Sequence, residues 1–271
     1  MEVPVEFVSH DQTKTEIQML GYSYSHLDKN GRLSEKRTCF LTILYASPDF
    51  IDNRRLRQDR RLYFSYFRIK LNTPLIDPRS LLYKKIWLEE ELVHVGNTSF
   101  IINSLLKSPD RRNTLAIAKS LSVIVDKETH KKRQLPSWFK EKFGHIKQEP
   151  VKFEIPEVPR HWNCKVKISH NDIDLNKHAN FSAYISYCQD AVYKHQVQQS
   201  NLSWFNRLGV EEVEQSYLGE AMEGEELSLY VQQTSSPGAV FLVSVEKDGV
   251  IIVKTRLVYT SALSPGLTSQ L

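Results

Sequence analysis

The sequence predicts an α+β chain built as two successive units, each a long helix followed by antiparallel strands. Three observations carry this. The runs Leu88 to Val95, Phe100 to Leu106 and Leu115 to Val125 match residues 225–232, 240–246 and 250–259 in order, which is an internal repeat. A helical pattern precedes each set of strands, at 33–46 and at 182–195. Between the two sets, residues 134–161 place Pro136, Pro150, Pro156 and Pro159 among Lys, Glu and His. These divide the chain into an N-terminal domain at 1–135, a linker at 136–160 and a C-terminal domain at 161–271.

The elements follow in order. Residues 5–8 read as a short strand. Residues 33–46 read as a buried helix starting near Ser34. The turn before it, Asp28-Lys29-Asn30-Gly31, resembles part of a calcium loop, but His26 and Arg37 would occupy the first and twelfth ligand positions, where carboxylates are required. Arg54, Arg55, Arg57, Arg60 and Arg61 form a basic cluster, read as a solvated helix or loop face, with a contact for an acidic carrier protein or a cofactor phosphate as the sharper alternative. Residues 62–71, 81–95, 99–106 and 114–126 are rich in Tyr, Phe, Ile, Val and Leu between turn residues, the pattern of strands. A short helix is expected at 137–143. In the second unit, strands are expected at 213–218, 227–231, 240–246 and 250–259, with Lys247-Asp248-Gly249 as a hairpin turn.

The stretch 166–193 holds the candidate chemistry. Asp172, Asp174, Asn176 and His178 alternate with Ile173 and Leu175, which in an extended segment puts the four polar groups on one side. A helix follows, capped by Asn180 or Ser182, with Tyr184, Tyr187, Cys188, Ala191 and Val192 as its apolar face. A carboxylate, an amide and an imidazole thus gather ahead of a helix N-terminus, where amides favour developing negative charge. Asp172 reads as structural.

Asp-Ile-Asp-Leu-Asn-Lys-His-Ala-Asn, 172–180, resembles the Asp-Leu-Asp-x-Asn-x-His-x-Asn signature of the plant and bacterial acyl-acyl-carrier-protein thioesterases. The resemblance implies two tandem hotdog domains, each a long helix wrapped by a curved antiparallel sheet, and a thioester hydrolase that takes a fatty acyl thioester of acyl carrier protein or coenzyme A to the free acid. It assigns the site to Asp174, Asn176, His178 and Glu220, the last matching within one residue a glutamate of the family. It implies no cofactor and no metal. The sequence departs from the family at Phe181, where a second Asn is usual, and has no Cys about 35 residues after His178. Water attack, activated by Asp174 with Glu220 as partner or substitute, is therefore expected rather than a cysteine nucleophile. Asp174, Asn176 and His178 have no counterparts in the first unit, so one active site per chain is expected. A non-catalytic acyl-binding or scaffold protein on the same fold is the alternative.

Composition bounds the remaining classes. With 41% hydrophobic and 25% charged residues, the chain reads as globular rather than disordered. A net charge of +4 suits an acidic or phosphorylated partner and is too small to argue for nucleic acid. No apolar run reaches the length of a membrane span. The start carries no basic and apolar leader pattern, and three scattered cysteines, Cys39, Cys164 and Cys188, suit reduced thiols, so a cytoplasmic protein is expected. The final Ser-Gln-Leu offers a peroxisomal alternative. A zinc site from Cys164, His170 and His178 matches no common spacing. Gly-rich phosphate loops and Gly-x-Ser-x-Gly elbows are absent. A homodimer is compatible with this reading.

Overall fold

The computed structural model describes residues 6–10, 13–23, 53–56, 60–72, 78–146, 153–174, 177–234 and 239–261. The helix expected at 33–46, the Asp28–Gly31 turn, Cys39, Arg57 and Asn176 lie outside the described residues.

Among the described residues, eleven strands form one sheet: β1 Glu6–His10, β2 Lys14–Leu20, β3 Arg60–Leu71, β4 Lys85–Val95, β5 Ser99–Lys107, β6 Thr114–Asp126, β7 Asn163–Lys167, β8 Leu208–Tyr217, β9 Glu226–Gln233, β10 Ala239–Lys247 and β11 Val250–Ser261. Their order is β1-β2-β4-β5-β6-β3-β8-β11-β10-β9-β7, and every strand pairing is antiparallel. Outward from the β3–β8 junction the order reads β3-β6-β5-β4-β2 on one side and β8-β11-β10-β9-β7 on the other. The strands that repeat in sequence therefore hold equivalent places about the junction, where Tyr66 to Lys70 pair with Ser216 to Glu212.

The described helices are α1 Asn53–Leu56, α2 Pro78–Leu81, α3 Ser137–Phe143, α4 Phe181–Gln198 and α5 Leu202–Phe205. The α4 helix lies on one face of the second unit's sheet. Tyr184, Tyr187, Cys188, Ala191 and Val192 are all buried, as their spacing requires, against a core that includes Leu229, Val231, Phe241, Val243 and Val253. Each fully buried aliphatic side chain contributes about 1.5–3 kcal/mol, which outweighs the weak amphipathicity of this polar-rich helix. The same inner face continues across the junction through Phe67 and Ile69 of β3 to Leu88, Leu106, Ala116 and Ala118.

The stretch after β6 is more than a tether. The α3 helix coincides with the expected 137–143, and its Phe139 and Phe143 are buried with Leu56, Leu92, Phe100 and Ile124. Two strands escape the sequence pattern. In β2, Thr15, Ile17 and Met19 are buried at period two, but they stand among Lys, Glu and Gln. In β7, Cys164 and Val166 are only half-buried at the sheet's edge.

Candidate active site

At the described positions of 172–178 the expected extended alternation does not form. Residues His170–Asp172 make a 3-10 turn, in which the Asp172 carboxylate accepts the Ser169 amide at 3.1 Å and the Ser169 hydroxyl at 2.6 Å. Asp172 is thus a capping residue, and its carbonyl also accepts the Asn180 amide at 2.7 Å. Ile173 then pairs with Ala179, the Asp174 amide donates to the His178 carbonyl at 2.9 Å, and the Lys177 amide donates to the Asp174 carbonyl at 3.0 Å. Asp174 and His178 therefore lie side by side, with Lys177 in the left-handed region at φ 66°. Asp suits strand alternation but also favours turns, and at Asp174 the turn prevails.

This loop fixes His178. Its backbone bridges Met222, and the Ala179 amide donates to the Ala221 carbonyl at 2.8 Å. Residues 220–222 therefore run beside 178–179, and Glu220 Oε2 lies 3.2 Å from His178 Nε2. The imidazole is buried, at 10% side-chain exposure, while the carboxylate keeps 32% and reaches solvent. The next turn is pinned by Glu225, which accepts the Met222 amide at 2.8 Å and pairs with Lys247 at 3.2 Å. The Met222 amide, then Lys247, hold its carboxyl below the usual carboxylate range.

The first unit supplies two further groups that sequence reasoning missed. His130, in the turn after β6, places Nδ1 3.9 Å from Glu220 Oε2. Tyr63 of β3 stacks on the His178 ring, with centroids 6.4 Å apart and planes at 26°, and its hydroxyl, which accepts from Arg61 at 3.5 Å, lies in the surroundings of Glu220. Burial pushes the Tyr63 phenol up, and Glu220 adds to this, while Arg61 opposes it. Tyr63 sits in an apolar strand pattern and His130 in a run of Lys and Thr, so neither carries a local signal of its own.

At the helix start, Asn180 is the cap. Its Oδ1 accepts the Ser182 amide at 2.9 Å and the Ser182 hydroxyl at 2.8 Å, and its carbonyl accepts the Ala183 amide at 2.9 Å. Phe181 packs its ring on Phe64 and Phe67 of β3, with centroids 5.6 and 6.3 Å away, so an apolar contact between the units occupies this departure from the motif. Beneath the helix, Tyr217 donates to Gln215 at 2.6 Å, Gln215 donates to Thr255 at 2.9 Å, and Cys188 Sγ lies 3.2 Å from the same Thr255 hydroxyl. Burial pushes the Cys188 thiol up to about 12, so it is no thiolate at neutral pH.

The described residues contain no group of three His, Cys, Asp or Glu side chains placed to hold a metal; His170 of the zinc alternative instead contacts Glu223 at 3.2 Å. No helix among them is long and apolar enough to cross a membrane. A cavity of about 780 Å³ lies elsewhere, on the outer face of the first unit's sheet, lined by Tyr66, Arg68, Lys119, Phe153 and their neighbours.

The sequence matches no family model and no curated protein sequence. The fold matches solved structures over most of the chain. One is an acyl-ACP thioesterase from Bacteroides thetaiotaomicron, with a TM-score of 0.68 at 19% identity, covering 91% of this chain and 98% of that one. Another is the 12:0-ACP thioesterase from Umbellularia californica, with a TM-score of 0.71 at 14% identity, covering 91% and 94%. A MaoC-like dehydratase from Phytophthora capsici aligns with a TM-score of 0.54 at 13% identity, covering 92% and 96%. The chain therefore has the α+β hotdog fold of the acyl-ACP thioesterases, a fold that also serves dehydratases. The resemblance first seen in nine residues extends, as fold, over most of the chain.

Proposed function

We propose that the chain is a tandem double-hotdog thioesterase that hydrolyses a fatty acyl thioester of acyl carrier protein or coenzyme A. The observation that carries this reading is Glu220: a solvent-reaching carboxylate 3.2 Å from His178, with His130 and Tyr63 of the first unit beside it, near the start of a long helix. In this reading water lies against Glu220, which takes its proton as the oxygen attacks the thioester carbonyl. The first amide of α4, at Phe181, is assigned to the carbonyl oxygen as it becomes anionic, since both Asn180 oxygens are engaged with the next two amides. The carbon–sulfur bond then breaks, and Glu220 returns the proton to the thiolate. His178 holds the carboxylate in place, Tyr63 backs the imidazole, and Asp174 and Asn176 orient the water. The general base thus moves from Asp174, which the motif favours, to Glu220, which the contacts favour. The first unit shapes the acyl pocket and lends Tyr63 and His130, so each chain has a single site.

A panel of acyl-coenzyme A and acyl-carrier-protein thioesters tests this reading. Glu220→Gln should lower kcat by on the order of 10²–10⁴-fold, as loss of a positioned base does, with little change in Tm. Tyr63→Phe should lower kcat by no more than about tenfold with KM nearly constant, because it changes the surroundings of Glu220 without removing the base. Cys188→Ala should keep most activity. If Glu220→Gln, Asp174→Asn and Asn176→Ala all leave turnover unchanged, the site lies elsewhere. A parent protein that binds acyl thioesters and hydrolyses none is an acyl-binding protein instead.

A further inference from the structure

The outer face of the first unit's sheet carries the cavity of about 780 Å³, a trough open to solvent. That volume lies within the range of small-molecule sites, about 300–1,000 Å³. Its floor is two rows of register partners: Glu91, Asn103, Lys119 and Arg68 in one, Glu89, Leu105, Ile117 and Lys70 in the next. Ile117 is 52% exposed, and Leu105 beside it is half-buried. On the other side of the Lys119 row, Phe153 stacks on Tyr66 with ring centroids 3.7 Å apart. The charges around this floor are matched, save one. Lys14 pairs with Glu91 at 3.2 Å, Arg68 with Glu212 at 3.0 Å and Lys70 with Glu211 at 3.4 Å. Glu16 pairs with Arg111 at 2.9 Å, Glu89 with Lys107 at 2.6 Å and Glu214 with Arg256 at 3.7 Å. Glu90 is buried at 1% exposure, accepts the Ser104 hydroxyl at 3.4 Å, and is kept neutral by that burial. Lys119 is half-buried and has no carboxylate partner among the described residues. Its cross-strand neighbours are the neutral Asn103 and the cation Arg68. Like charges directly opposite each other on a sheet are unfavourable, so an added anion is favoured at this point.

We infer that this trough binds a small amphipathic carboxylate, a fatty acid whose head pairs with Lys119 and whose chain lies over Leu105 and Ile117. The carboxylate accepts hydrogen bonds from the Lys119 ammonium and separates its charge from that of Arg68. The chain covers apolar surface that the fold leaves in water, and burial of such surface is favourable. The Phe153–Tyr66 wall shields the ion pair from one side, which strengthens it relative to an exposed pair. None of Glu220, His178, His130 and Tyr63 lines the trough, so the inference stands apart from the thioesterase reading.

Binding tests this independently of turnover. Dodecanoate, dodecanol and dodecylammonium, each below its micelle concentration, would be titrated calorimetrically into the full chain. A photo-crosslinking dodecanoate, mapped by peptide mass spectrometry, would place the bound chain. Dodecanoate should bind at least about tenfold tighter than dodecanol, as one hydrogen-bonded charge pair allows, and dodecylammonium weakest of the three. The label should fall on β5 and β6. Lys119→Met keeps the stem, removes the charge and should abolish the preference for the carboxylate, while Lys119→Arg should keep it. Ile117→Asn should weaken dodecanoate and dodecanol alike. All three variants should hydrolyse thioesters as the parent does. Absence of dodecanoate binding overturns the inference. So does a preference that survives Lys119→Met, or a label confined to the second unit. Should no thioester be hydrolysed while dodecanoate still binds through Lys119, the hydrolase reading fails and the trough site stands.

Discussion

Glu220 takes its character from side chains that reach it along separate routes: His178 from the loop before α4, His130 from the turn after β6, and Tyr63 from the strand at the junction. Only His178 is near it through local strand pairing; the others depend on the two units meeting. Glu90 is the opposite kind of carboxylate, sealed in and held by one weak hydroxyl donor. Its carboxyl is pushed by burial well above the ordinary 4.5, so the folded protein keeps it protonated at pH values where the unfolded chain ionises. Its cost is therefore absent below the unfolded value and grows as pH rises toward the folded value. Glu90→Gln, which cannot ionise, should change Tm little near about pH 4 and raise it clearly near about pH 8. Equal shifts at the two pH values in calorimetry would mean that Glu90 is not held neutral by the fold.

At the scale of elements, α4 was legible because its apolar spacing and its cap are both local. Asn180 satisfies the first turn through two oxygens, so Asn180→Ala should cost about 1 kcal/mol. It should also lower kcat by loosening the helix start that positions the Phe181 amide proposed for the reacting carbonyl. A Tm drop with unchanged kcat would separate the cap from the chemistry. The strands that repeat were legible for the same local reason, each being a β-rich run between turn residues. The loop at 173–179 was not, because turn chemistry and strand alternation use the same residues there. Nor was β2, whose three buried side chains stand between charged neighbours. Tyr63 and His130 were illegible for a different reason: their role depends on β3 pairing with β8, a contact between residues nearly 150 positions apart in the sequence.

At the scale of the whole molecule, the junction decides whether the two units behave as one. On its outer face Glu212 is buried at 6% exposure and bonds Arg68 of β3 at 3.0 Å and Arg256 of β11 at 2.7 Å, while Tyr66 of β3 donates to Glu214 at 2.8 Å. Beneath them Phe67 and Ile69 join the apolar core of the second unit, and Phe181 closes on Phe64. The ladder and core are thus continuous from β2 to β7, which predicts one cooperative unfolding transition rather than two. Glu212→Gln keeps the shape and removes the charge shared by two arginines. It should cost about 1–3 kcal/mol, toward the lower end because Arg68 and Arg256 retain 50% and 35% exposure and can hydrate. Because the carboxylate itself is shielded from solvent, much of that cost should persist in high salt. Calorimetry of parent and variant, read alongside tyrosine and tryptophan fluorescence, checks this. Two resolved transitions in the parent, or probes that melt at different temperatures, would show that the units fold apart and that Tyr63 and His130 are not rigidly held at Glu220.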